Sequence, residues 1–164
     1  MAEDPVCPET GAPMRRDARP MTLNYKRQSI TFDMPGWYCD ASDQSTHTGE
    51  DMKVSDRMLN LLKARSEGLI EPEGIRRIRK KLGLSQAAAG ELIGGGPRAF
   101  QKYEAGDLLP SRAISSALAL LDNDPKALRV LEARYHPAEG HQDQQAAHQA
   151  MNTLSEYPIV EVSD

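Results

Sequence analysis

Hydrophobic and polar residues alternate in the first third of the chain. In "LNYKRQSITF" (residues 23–32), apolar and polar side chains change with a period of two, which predicts a small, half-solvated antiparallel hairpin or meander. A sheet of this size has little core of its own and normally needs a metal, a disulfide or a packing partner. We therefore expect residues 1–50 to form a small β-rich domain.

The period of the pattern changes near residue 51. The segment "DMKVSDRMLNLLKARSEG" places Met58, Leu61, Leu62 and Arg65 at helical spacing, and Gly68 is a typical helix end. This pattern predicts that residues 51–70 form a linker helix between two halves of the chain.

Helix signals are densest in residues 71–135. Five short amphipathic segments follow one another there, each bounded by residues that commonly start or end a helix. The predicted boundary residues are Pro72 and Gly83, Ser85 and Gly94, Pro97 (as first helical residue) and Gly106, Ser111, and finally Asp124 (as cap) with Pro125. Five helices with short connections predict a compact all-α domain and a mostly α fold class. Residues 136–164 are predicted to be a polar, flexible tail.

Composition and charge narrow the class of protein. The chain is 27% charged and 39% hydrophobic, which is typical of a globular protein, and no apolar run is long enough to span a membrane. The start, "MAEDPVCPET", has no apolar export segment, and two cysteines make a disulfide framework improbable, so we expect a cytoplasmic protein. Although the net charge is -4, residues 75–112 carry eight basic and three acidic residues. That segment can bind a polyanion locally.

The segment "LSQAAAGELIGGGPRAFQKYEAGDLLPS" has the order of a helix-turn-helix: a capped small-residue helix, a glycine turn and a second short helix. On the second helix, Arg98, Gln101 and Lys102 share one face at spacings of three and four. Phe100 and Tyr103 fall on the opposite face and are predicted to anchor the helix to the core.

The exposed trio has the chemistry needed to bind base edges. Arginine can pair bidentately with guanine, glutamine can pair with adenine, and lysine can reach a base or a phosphate. Gln86, at the start of the preceding helix, is placed to donate to a phosphate. Arg79 and Lys80, from the basic run at residues 76–81, are further candidates, although that run is equally well explained as a solvated helix face.

These motifs resemble the MqsA (YgiT-type) antitoxin family within the wider Xre/Cro-like group. The family signature "GGGxxAFxxYExG" is read at residues 94–106, and the resemblance covers about residues 5–135. It implies a C-terminal five-helix Xre/Cro-like helix-turn-helix domain, a small zinc-ribbon-like N-terminal domain, and a dimer that represses its own operon and neutralises a toxin. It also implies DNA contacts by Arg98 and Lys102. The family's best-known pattern has Asn and Arg at these two positions, so a different operator sequence is expected.

The zinc site that the resemblance implies is degenerate. The family has CxxC near the start and Y-C-x-x-C near residue 40, whereas this chain has "CPET" and "CDAS", with Thr10 and Ser42 in place of the second cysteines. Alcohols are poor zinc ligands, so Cys7 and Cys39 are predicted to be small buried thiols. Asp40, Asp43 and His47 are nearby substitutes without knuckle spacing. We expect no cofactor, with bound zinc as the disfavoured alternative.

The sequence therefore predicts a non-enzymatic, DNA-binding transcriptional repressor that acts as an antitoxin. Its expected partners are a palindromic operator in double-stranded DNA, a second copy of the chain and a cognate toxin. No catalytic arrangement of Ser, His and Asp is recognisable, and "GGG" lacks the Lys-Ser/Thr of a phosphate-binding loop. Two alternatives stay open: a stand-alone Xre-type regulator, for example of a mobile element, or a partner-neutralising module with vestigial DNA binding.

Overall fold

The structure is a computed structural model that describes residues 4–135. The predicted tail, residues 136–164, lies outside the described residues. The chain divides into two compact units, Met1–Pro125 and Lys126–Asp164. Within the described part there are six α-helices and one small antiparallel sheet, so the chain is mostly helical with a β-rich N-terminal segment, as the sequence predicts.

The sheet is a long hairpin with a short third strand. Strand β1 (Arg15–Tyr25) pairs antiparallel with β2 (Gln28–Tyr38) over their full lengths, and β3 (Ser45–Thr46) adds to the far end of β2. The two-residue turn between β1 and β2 has Lys26 at φ 53°. The hairpin that the alternation predicts is confirmed and extends several residues further on each side.

Helix α1 (Gly49–Glu67) follows the sheet. It starts two residues before the predicted Asp51 because Thr48 is the N-cap and forms a capping box with Asp51. It ends at Gly68, as predicted, where a φ of 67° suits glycine and the cap N–H bonds back to the last turn. The helix packs along both long strands, which gives the small sheet the packing partner that it needs.

Five further helices occupy the rest of the described residues. They are α2 (Pro72–Lys81), α3 (Gln86–Leu92), α4 (Ala99–Ala105), α5 (Arg112–Asn123) and α6 (Leu128–Tyr135). Ser85 and Ser111 cap α3 and α5 through their side chains, as predicted. No helix in residues 4–135 combines the length and apolar character that crossing a membrane requires.

Two predicted helix starts are wrong. Pro97 is not the first residue of α4: it lies in a turn, Arg98 is the N-cap, and the helix begins at Ala99. The preceding glycines all have positive φ, so the chain is still reversing direction at Pro97. Asp124 closes α5 rather than capping α6, and Pro125 begins a 3-10 turn, Pro125–Ala127, that precedes α6.

The core of the helical part lies between α2, α3, α4 and α5. Helix α4 packs against both α2 and α3, and α2 also packs against α5. The buried side chains of this core are Ile75, Ile78, Ala89, Ala99, Phe100, Tyr103 and Leu118. Because α4 is only seven residues long, its position depends on this core rather than on its own helical stability.

Candidate functional site

Helices α3 and α4 are held together by a glycine turn. Gly94, Gly95 and Gly96 have φ values of 125°, 97° and 88°, a conformation that other residues rarely adopt. Gly96 N–H donates to the carbonyl of Gly90 on α3 at 3.1 Å. A Cβ on Gly90 would overlap the Gly96 carbonyl oxygen, so the close approach of the turn to α3 requires glycine there.

The inward face of α4 carries the two aromatic residues that the sequence singled out. Phe100 is fully buried and Tyr103 is 5% exposed. Their rings meet edge to face with centroids 5.7 Å apart, a favourable aromatic geometry. This contact fixes the rotation of α4 about its axis and therefore which side chains face outward.

The outward side of α4 carries Gln101 and Lys102, and Arg98 precedes them as the N-cap; all three are exposed. Lys80, at the end of α2, is exposed as well. None of these four side chains makes a hydrogen bond or ion pair with any residue in 4–135. The donors of all four are thus available to an external acceptor such as a nucleic acid.

Glu104, on the inward side of α4, is a buried carboxylate that sequence reasoning missed. Its side chain is 2% exposed and accepts hydrogen bonds from Arg79 Nη2 and from Gln86 Nε2, each at 3.0 Å. Arg76 lies 3.5 Å away. Burial by itself would raise the pKa of Glu104, but the hydrogen bonds from Arg79 and Gln86 and the nearby positive charges outweigh burial and lower it.

Arg79 and Gln86, two of the six predicted DNA contacts, are turned towards the protein interior, whereas the other four are exposed. The Arg79 side chain is 13% exposed, and besides Glu104 it binds the carbonyl of Leu84 at 2.8 Å. Gln86 is half-buried and its amide is directed at Glu104 rather than at solvent. Both side chains tie α4 to α2 and α3. Glu104 lies four residues after the buried Phe100 and therefore on the same face of the helix, and this spacing is the sequence signal that its charge needs an internal partner.

The N-terminal segment brings the two degenerate knuckle loops together. We define the knuckle loops as residues 7–10 and 39–42. Cys7 Sγ is hydrogen-bonded to Ser42 Oγ at 3.4 Å, and Thr10 Oγ1 to Cys39 Sγ at 3.5 Å. Hydrogen bonds from Ser42 and then Thr10 lower the pKa of Cys7 to about 6, against the opposing effect of burial.

These four side chains do not fit a structural zinc ion. Such a site takes four thiolate, imidazole or carboxylate ligands, whereas two of the converging positions here are neutral alcohols. Across residues 4–135 no group of three or more His, Cys, Asp or Glu side chains is arranged to hold a metal.

The substitutes that the sequence offered are bound to other groups or point elsewhere. Asp40 accepts from Arg15 and Arg19, each at 2.8 Å, and these partners lower the pKa of its carboxyl group. His47 Nδ1 is 2.8 Å from the carbonyl of Pro35. Asp43 is exposed.

The sheet is tied to α1 by two polar contacts at opposite ends of the helix. Arg16 on β1 binds Asp51 bidentately, with both distances 2.8 Å. Near the other end of α1, Tyr25 donates to Glu67 at 2.8 Å. The Arg16 guanidinium, followed by the bonds from Thr48, holds the pKa of Asp51 well below its usual range.

Comparison with known proteins agrees with these motifs. Residues 3–132 match the model of the MqsA family, described as the antitoxin component of a bacterial toxin–antitoxin system. Antitoxin MqsA of Escherichia coli (strain K12) is 33% identical over 109 residues, which span 64% of this chain and 81% of that protein. The chain therefore belongs to the MqsA antitoxin family.

Proposed function

We propose that the protein is the antitoxin of a type II toxin–antitoxin operon and represses its own promoter through a helix-turn-helix formed by α3, the glycine turn and α4. The family is regulatory and not enzymatic, and an antitoxin implies a cognate toxin as partner. In this proposal α4 enters the major groove of the operator, and α3 crosses the phosphate backbone.

The observation that carries the DNA-binding proposal is the contrast between the two faces of α4. One face is anchored by Phe100 and Tyr103, which are buried, while the other presents Arg98, Gln101 and Lys102, whose side chains are exposed and make no hydrogen bond or ion pair within residues 4–135. A well-anchored helix with solvent-exposed, outward-facing donors is what base recognition requires. Some surface cations on α2 are paired instead, as Arg77 and Lys81 are with Asp122.

The proposed contacts divide by chemistry. We assign base reading to Arg98, Gln101 and Lys102, and phosphate binding to Lys80. Arg79 and Gln86 act indirectly, by holding Glu104 and thereby the position of α4. A homodimer of the chain would place two such helices on half-sites about one helical turn apart, roughly 34–36 Å.

A gel-shift titration on the DNA upstream of the operon tests this proposal. Arg98→Ala should weaken specific binding by about 1–3 kcal/mol and change non-specific binding much less. Arg27→Ala is a matched control, because Arg27 is an exposed arginine in the β1–β2 turn and its removal changes the net charge equally. If the folded wild-type protein gives no specific shift at moderate salt, or if both variants weaken binding equally, the proposed DNA contacts are wrong.

Toxin binding through the N-terminal half is the second part of the proposal. It is supported by family membership and by the outer edge of β1, which pairs with no further strand among residues 4–135 and is open to a protein contact. Copurification from the native operon tests it. A small partner protein retained with the chain, and released when residues 4–47 carry disruptive substitutions, supports the assignment. A chain that purifies alone from the intact operon contradicts it and favours a stand-alone regulator.

A further inference from the structure

Backbone hydrogen bonds close each knuckle loop, and the hydroxyls of Thr10 and Ser42 each accept one more hydrogen bond within their own loop, from Ala12 N–H at 3.3 Å and from Gln44 N–H at 3.4 Å. In the first loop, Cys7 N–H donates to Ala12 O and Gly11 N–H to Cys7 O, both at 2.8 Å. In the second, Cys39 N–H donates to Gln44 O at 3.0 Å. The shape of each loop therefore does not depend on a ligand to hold its side chains.

Two side-chain hydrogen bonds then connect one loop to the other. Each thiol is paired with the hydroxyl of the opposite loop, Cys7 with Ser42 and Thr10 with Cys39. The paired residues are 35 and 29 positions apart, so these bonds link the start of the chain to the end of β2. A metal ion bound by both loops would make the same cross-link.

The surroundings of the sulfur atoms are apolar. Cys7 and Cys39 are each 1% exposed and form a small cluster with Met14, against which Ala12 and Trp37 also pack. A thiol in such a cluster contributes as a small hydrophobic side chain, and its weak polar character is satisfied by the hydroxyl beside it. The contacts of the sheet with α1 supply the remaining support.

We propose that the two thiol–hydroxyl hydrogen bonds between the loops, with the apolar cluster around them, replace a zinc ion, so that the N-terminal sheet of this chain folds and stays folded without metal. Two substitutions, of a cysteine by threonine and of a cysteine by serine, would have exchanged a metal cross-link for a hydrogen-bonded one. The four side chains of residues 7, 10, 39 and 42 converge in this chain, so cysteines restored at positions 10 and 42 should complete a metal site.

Metal analysis and thermal unfolding of the full chain, purified after growth with added zinc, test this proposal. We expect far less than one zinc ion per chain, and the same unfolding midpoint with and without a strong chelator. One zinc ion per chain, or a midpoint lowered by the chelator, would overturn the proposal.

A matched set of variants at positions 10 and 42 tests the convergence of the two loops separately from the metal content of the wild-type protein. Thr10→Cys/Ser42→Cys should bind one zinc ion per chain and become sensitive to chelator, because four thiols then converge. The single variants Thr10→Cys and Ser42→Cys are controls and should bind much more weakly. Thr10→Val/Ser42→Ala should lower the unfolding midpoint without changing metal content. A double-cysteine variant that takes up no zinc would show that the loops do not converge as proposed.

Discussion

Gly90→Ala is the substitution that most directly tests how α3 and the glycine turn meet. The added Cβ would overlap the carbonyl oxygen of Gly96 and lie 2.7 Å from its carbonyl carbon and 3.3 Å from Pro97 Cα. These are backbone atoms, so no side-chain rotation can relieve the overlap. The turn would have to move away from α3.

The change in the free energy of unfolding is the sum of one stabilising and two destabilising contributions. Alanine favours a helix interior over glycine by about 0.8–1.0 kcal/mol. Displacing the turn breaks the hydrogen bond from Gly96 to Gly90, which costs about 1 kcal/mol. Overpacking a buried site costs about 1–3 kcal/mol more. The free energy of unfolding should therefore fall by about 1–3 kcal/mol.

Urea unfolding measures this difference, provided that the dependence on denaturant is the same for both proteins. Gly49→Ala is the matched control, because a Cβ there meets nothing within 4 Å at the start of α1. It should leave the midpoint almost unchanged or raise it slightly. A Gly90→Ala protein as stable as the wild type would refute the close approach of the turn to α3. Operator binding measured at a temperature where the variant is folded should also weaken, since the turn sets the position of α4.

Three further predictions concern charges and caps. Arg79→Ala should lower the free energy of unfolding by about 3–5 kcal/mol, because it leaves the Glu104 carboxylate buried without its main partner, and calorimetry will detect the loss in the absence of DNA. The pKa of Asp51 is lowered in the folded protein by its pairing with Arg16. This pairing therefore stabilises the fold at pH values above 3.8, the ordinary pKa of aspartate, and the stabilisation is lost as the pH falls towards the lowered pKa. The thermal midpoint should accordingly fall less steeply with acidification in Asp51→Asn than in the wild type, and equal slopes would contradict this. Ser85→Ala removes the side-chain cap of α3 and should cost about 0.5–2 kcal/mol in the same unfolding assay.

Much of the secondary structure was predictable because its signals are local. Gly68 and Gly106 end helices in the left-handed conformation that glycine adopts easily, and Ser85 and Ser111 cap the next helices with their own hydroxyls. The outward trio and inward aromatic pair on α4 follow from helical spacing alone. Each of these features depends on residues within a few positions of one another.

The failures occurred where distant residues decide the outcome. Proline at a first helical position is a general preference, yet at Pro97 the three-glycine turn, fixed by its contact with Gly90, delays the helix to Ala99. Arg79 was indistinguishable from Lys80 in the sequence, since both belong to one basic run. Only the packing of α2 against α4 directs Arg79 towards Glu104, 25 residues later, and leaves Lys80 in solvent.

The sequence by itself determined where most helices begin and end and which face of α4 is buried. Tertiary structure decided which cations stay exposed and which pair with buried carboxylates, and how the thiols are satisfied, with Cys7 beside Ser42 and Thr10 beside Cys39. The physical reason is the distance along the chain over which each interaction acts. Capping and amphipathic periodicity act over a few residues along the chain, whereas pairing of buried polar groups depends on which distant segments the fold brings into contact.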